Sequence, residues 1–255
     1  MVSSSPVLQQ LIALSQFLGD PSRDLAILGE GNTSARMDED TFLVKASGTE
    51  LRTAGEGTFV AVSLTRALSV LDGGDLTDEQ VRAALTSCKC DPTDVRMPSV
   101  ETFLHAYLLS LPGIRFVGHT HPTAVNAILC SSRAKEAVSG RLFPDEIVCC
   151  GPSVCFVEYV DPGIPLARKL RAEVERFIDA ENMPPKVILM QNHGLIATGA
   201  TARDVEVATA MYVKAARVLL GTYALGGPHF LSAENVARIH TRPDEHYRQK
   251  QLGTR

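Results

Sequence analysis

The segment Val117-Gly-His-Thr-His-Pro122 sets two histidines one residue apart in an apolar run, and a third stands far downstream in Gln191-Asn-His-Gly-Leu195. Side chains of a strand alternate between its faces, so His119 and His121 project on the same side, about 6 to 7 Å apart by strand rise. Two imidazoles at that spacing can grip one divalent cation. With His193 as a third neutral ligand, one coordination position stays open, which is the pattern of a catalytic rather than a structural zinc site. The bland alternative makes His119 and His121 an ordinary pair at a strand end and His193 an unrelated loop residue. A structural zinc would need a fourth protein ligand, and no residue offers a persuasive position for one.

These residues need elements to hold them. Apolar positions at helical spacing predict an opening helix over 6–19, stopped by Gly19. Short apolar or alternating runs at 42–46 and 58–63, bounded by Gly, Asp and Thr, predict strands of an antiparallel sheet. Thr77 with Gln80 forms a capping box for a short helix to 87. Ser99 is the expected cap of a helix running to Ser110, which Leu111-Pro-Gly113 ends. Strands follow near 114–120, 146–149 and 154–159. Helices at 164–182 and 201–222 flank a strand from Lys186 to Gln191 that delivers His193. The sum is an α/β fold, one domain over residues 1–255, with a mostly antiparallel central sheet and helices on both sides.

A chain of 255 residues with 45% hydrophobic residues can bury a full core, and its formal net charge of −4 draws it neither to nucleic acid nor to an anionic membrane. No stretch approaches the length of a membrane span, and the first twenty residues lack the cationic start and long apolar run of a leader. The expectation is a cytoplasmic protein whose partner is a small molecule. Cysteines at 88, 90, 130, 149, 150 and 155 form neither a CxxC pair nor an even framework, so they read as reduced thiols, with Cys149-Cys150 a site open to oxidation.

Four blocks, GEGNTSARM (29–37), FLVKASGTEL (42–51), PSVETFLHAYLL (98–109) with VGHTHP behind it, and QNHGLIATG (191–199), resemble in order and spacing the class II aldolase/adducin family, whose type enzyme is L-fuculose-1-phosphate aldolase. The likeness spans nearly the whole chain. The runs FPDEIVCCGP (143–152) and VKASG are closer to the aldolase part of bifunctional rhamnulose-phosphate aldolase/dehydrogenases.

The resemblance implies that His119, His121 and His193 bind a divalent metal, usually Zn2+, with Mn2+ or Co2+ as substitutes. Cleaving a carbon-carbon bond beside a ketone needs a sink for the enediolate, and a metal on neutral ligands remains a strong Lewis acid. Glu101 matches the family's acid/base; on its own it would read as a helix-start carboxylate favoured by the dipole. His105, one turn on, is either a partner of the site or a satisfied core residue. Asn32, Ser47, Gly48 and Ser99 match positions that bind a substrate phosphate, with Ser99 at a helix N-terminus. Lys45 is either an added cation for that anion or a solvated strand residue. Val100 stands where the fuculose enzyme has a second serine.

The family's tyrosine proton donor has no clear counterpart: Phe143, Asp145 and Tyr159 occupy the middle region, and Tyr212, Tyr223 and Tyr247 remain. The resemblance thus implies a zinc-dependent lyase performing reversible retro-aldol cleavage of a ketose or ketose 1-phosphate, in a homotetramer with active sites at subunit boundaries. Decarboxylation, dehydration and 4-epimerisation on the same metal site are the alternatives, and a non-catalytic adducin-like scaffold is the alternative of another class.

Overall fold

Seven strands form one sheet in the order β3-β2-β1-β4-β7-β6-β5. They are β1 Asn32–Arg36, β2 Thr41–Lys45, β3 Phe59–Ser63, β4 Phe116–Thr120, β5 Cys155–Val157, β6 Val187–Met190 and β7 Gly194–Gly199. The computed structural model describes residues 5–243. Every neighbouring pair is antiparallel except β5 with β6, in keeping with the expected mostly antiparallel sheet.

Ten α-helices accompany the sheet in the described chain: α1 Pro6–Leu18, α2 Leu64–Leu71, α3 Asp78–Cys88, α4 Thr102–Ser110, α5 Thr123–Leu129, α6 Ala134–Ala137, α7 Pro144–Cys150, α8 Ile164–Glu181, α9 Ala202–Tyr223 and α10 Ala233–Thr241. Alternation along the strands sends side chains into two large apolar clusters, one on each face. On β2, Leu43 joins the cluster shared with α1, α5 and α9, while Phe42 and Val44 join the one shared with α2, α4 and α8. The sheet is therefore buried on both faces between helical layers, and this is why its strands read as apolar runs rather than as strict alternation.

Local chemistry sets the helix ends. The Ser5 hydroxyl accepts from Leu8 N–H ahead of Pro6, and Thr77 and Gln80 form the reciprocal capping box. Two expectations fail. The run at 146–149 is helix α7, not a strand: Pro144 opens it, Asp145 and Glu146 occupy its first turn, and the buried Glu146 carboxylate accepts from Leu142 N–H at 2.8 Å. A short apolar run carries no period that separates a strand from a buried helix, so the flanking Pro and acids were the better signal. Ser99 does not cap α4, because Glu101 is the N-cap residue and Ser99 opens the turn before it, its carbonyl accepting from Thr102 N–H at 3.0 Å.

Candidate metal centre

Strand β4 lies at the middle of the sheet and carries His119, which is fully buried. His121 follows the end of the strand, its backbone N–H donating to Leu25 O at 2.9 Å. His193 comes from the tight turn joining β6 to β7. Asn192 takes a left-handed φ of 53° there, a conformation asparagine tolerates well, and Met190 pairs with Gly194 across the turn. A side chain at Gly194 would meet Thr120 O at 2.5 Å and the His121 ring at 2.7 Å, so glycine lets the turn press against the other two histidines. The 74 positions separating His119 from His193 are thus bridged by the β4–β7 ladder, where His119 faces Ile196 and Thr120 faces Leu195.

The three rings converge, with centroids 4.7, 4.9 and 5.1 Å apart and one ligating nitrogen of each within 4.8 Å of the others. His119 Nδ1 lies 3.0 Å from the Leu195 carbonyl, which can only accept, so the Nδ1 proton is fixed and Nε2 presents a lone pair to the centre. Burial, the largest influence, pulls His119 and His121 down to about 4, so both rings are neutral at physiological pH. Two Nε2 atoms 2.9 Å apart, in neutral rings with lone pairs turned inward, are a donor set that a divalent cation fits.

Glu101 faces the same space. Its Oε2 lies 3.4 Å from His119 Nε2 and its Oε1 3.2 Å from His193 Nε2, while Oε1 is buried without a properly angled hydrogen-bond partner. Sequence reasoning gave this residue to proton transfer, and the structure sets its carboxylate beside two of the three histidines. Burial pushes the Glu101 carboxyl up, but the neighbouring His119, His193 and the Asn32 amide outweigh it and hold it well below the usual carboxylate range.

A buried relay fixes that carboxylate. Asn32, paired with His119 across β1 and β4, donates from Nδ2 to Glu101 Oε2 at 2.6 Å and to Ser99 Oγ at 3.1 Å. Its Oδ1 accepts from His105 Nε2, and His105 Nδ1 accepts from the Ser34 hydroxyl at 2.7 Å. His105 is wholly buried and held down to about 4 by desolvation, so it is a neutral orienting group. Both Asn32 donors are in use, and an anion would have to displace Ser99 or Glu101 to reach them.

The remaining sequence candidates fall beside this group. Ser47 N–H donates to Met97 O at 2.8 Å and Ser99 N–H to Lys45 O at 3.1 Å, which lays the 46–49 loop against the 97–99 segment. Gly48 has a φ of 78° with open space where a side chain would stand. Lys45 is not a solvated strand residue. It is buried, its ammonium donating to the carbonyls of Thr49 at 2.5 Å and Gly29 at 3.4 Å, and burial lowers its pKa against the pull of Glu101 and Glu50. It ties together the two small-residue loops. Ser47 and Val100 line a cavity of about 580 Å³ walled by Leu76, Val81, Leu85, Met97 and Ile164.

Among the described candidates, Tyr212 is buried on the core side of α9, the Tyr159 hydroxyl bonds Asp161 at 3.2 Å, and Tyr223 stacks under Arg133. Phe143 lies under Lys214, and Tyr247 is outside the described residues.

Fold and site together define an α/β protein with a three-histidine, one-carboxylate centre at the middle of its sheet. Residues 9–220 match the family described as Class II Aldolase and Adducin N-terminal domain, and the chain belongs to that family. It is 29% identical over 202 residues to the Uncharacterized oxidoreductase YuxG of Bacillus subtilis (strain 168), a match covering 76% of this chain and 27% of that longer relative. In fold it is similar to the N-terminal class II aldolase domain of a conserved protein from Thermoplasma acidophilum (TM-score 0.68, 24% identity, 86% of this chain and 96% of that one). It is likewise similar to an L-fuculose 1-phosphate aldolase (TM-score 0.68, 18% identity, 93% of this chain and 96% of that one).

Proposed function

We propose that the chain is a zinc-dependent carbon-carbon lyase that reversibly cleaves a ketose, or ketose 1-phosphate, to dihydroxyacetone or its phosphate and an aldehyde. The observation that carries this reading is the convergence of His119, His121, His193 and Glu101 on one space. A divalent cation held by His119, His121 and His193 would supply a Lewis acid for a substrate carbonyl. The Glu101 carboxylate, ionised and nearly buried, takes a proton from the substrate and returns it. Asn32, itself held by His105, keeps that carboxylate aimed while the reaction proceeds. Ser47, Gly48 and Ser99 seat the anionic end, and the adjoining cavity leaves room for the group beyond it.

Metal analysis and a panel of ketose 1-phosphates, free ketoses and sugar acids, assayed with wild type and Glu101→Gln, test the proposal. Removing a positioned acid/base lowers kcat by about 10²- to 10⁴-fold, so unchanged turnover in the variant removes Glu101 from its role. A protein free of metal and indifferent to chelator or added zinc would favour the scaffold. We further propose that residues 1–255 act as one domain in a cytoplasmic homotetramer; sedimentation as a monomer at assay concentration would exclude that assembly.

A further inference from the structure

Glu30 stands in the loop between α1 and β1, and three contacts fix that loop against the segment that carries His119 and His121. Leu25 O accepts from His121 N–H at 2.9 Å, and Asp24 Oδ1 accepts from the Thr123 hydroxyl at 2.8 Å. Gly31, at a φ of 66°, packs so closely on β4 that a side chain there would lie 2.4 Å from His119 O. Within the loop, Ile27 N–H donates to Glu30 Oε2 at 3.0 Å, and this anchor turns Oε1 to within 3.7 Å of His121 Nδ1. The distance exceeds an ordinary N–H···O bond by about 0.8 Å, which a small swing of a partly exposed carboxylate closes.

We propose that Glu30 is the positioning residue of His121: its carboxylate accepts the Nδ1 hydrogen bond and so keeps the Nε2 lone pair directed into the centre shared with His119 and His193. The inference rests on the metal centre proposed above. His119 has an equivalent partner in the Leu195 carbonyl, but a carbonyl carries no net charge. A carboxylate on Nδ1 also raises the ring's basicity and offsets part of a cation's charge, as carboxylate partners of metal-bound histidines do. Glu30 therefore fixes a ligand that the strand ladder does not orient, since His121 lies past the last paired residue of β4.

The test titrates metal-free wild type, Glu30→Gln and Glu30→Ala with Zn2+ against a chromophoric chelator and records the thermal midpoint of each metal-free protein. The expected result is a Kd for Zn2+ raised about 10- to 100-fold in Glu30→Ala. A smaller rise is expected in Glu30→Gln, which keeps one acceptor oxygen in place of two, with the metal-free midpoints unchanged. Zinc binding within twofold of wild type in both variants overturns the proposal. So does a loss of affinity matched by a fall in the metal-free midpoint, which would make Glu30 a loop anchor only. A wild type that binds no zinc would fell the metal centre and this inference with it, whereas a binding wild type with unaffected variants fells this inference alone.

Discussion

His105 gives the most direct test of the buried relay, because its titration is linked to folding with a definite sign. Its imidazole is fully buried and held at about 4 against 6.5 in the unfolded chain, chiefly by desolvation. Above the unfolded value neither state binds the proton and the residue makes no difference. As pH falls from 6.5 toward 4 the unfolded chain takes up the proton first, and stability is lost over that window. At pH 5 the unfolded imidazole is almost wholly charged while the folded one is mostly neutral, and linkage sets the loss at about 2 kcal/mol relative to pH 7. Glutamine at this position can still donate an N–H to Asn32 Oδ1 but has no proton to take up. Urea unfolding of chelator-treated wild type and His105→Gln at pH 7, 6 and 5 therefore measures the effect without metal linkage. The variant is expected to start less stable, by about 1 kcal/mol for an imperfect buried hydrogen bond, and to lose about 2 kcal/mol less on acidification. Parallel losses in the two proteins would refute the buried, neutral assignment.

Two further outcomes follow from packing. Gly31→Ala places a methyl group against His119 O at a left-handed φ, so thermal denaturation should show a loss of about 1–3 kcal/mol, and near-native stability would mean that the loop is free to move off β4. Thiol labelling under native conditions should modify the exposed Cys130 and Cys90 well before Cys88, Cys150 and Cys155, which are buried; Cys150 Sγ donates to Ala208 O, and its thiol is pushed up by burial, so early modification of Cys150 would contradict the packing of α7 on α9.

The sequence was most informative where one side chain both marks an element and caps it. Thr77 with Gln80 and the apolar periodicity of α1, α8 and α9 were readable because their signals are local. Strand β1 was not, since Asn32-Thr-Ser-Ala-Arg36 is polar and resembles a loop; those polar groups are buried because Asn32 and Ser34 bond His105, 73 and 71 positions away. Strand β7 was likewise read as a motif rather than as a strand, because its glycines are there for close packing. The histidine trio was legible from residue type and from resemblance, and Glu101 beside it from resemblance alone. Nothing in the spacing shows that Glu30 would face His121 or that Lys45 would be buried among carbonyls, since each depends on how loops distant in the chain come to rest.

The position of β4 has a consequence for how the protein acquires its chemistry. Its neighbours β1 and β7 come from opposite ends of the described chain, and each must dock before the histidines have their companions. Contacts of such long sequence separation form late in folding. A chain ending before residue 193 would carry His119 on a strand with one vacant flank and His121 just past its end. Convergence of the three histidines is thereby tied to completion of the sheet.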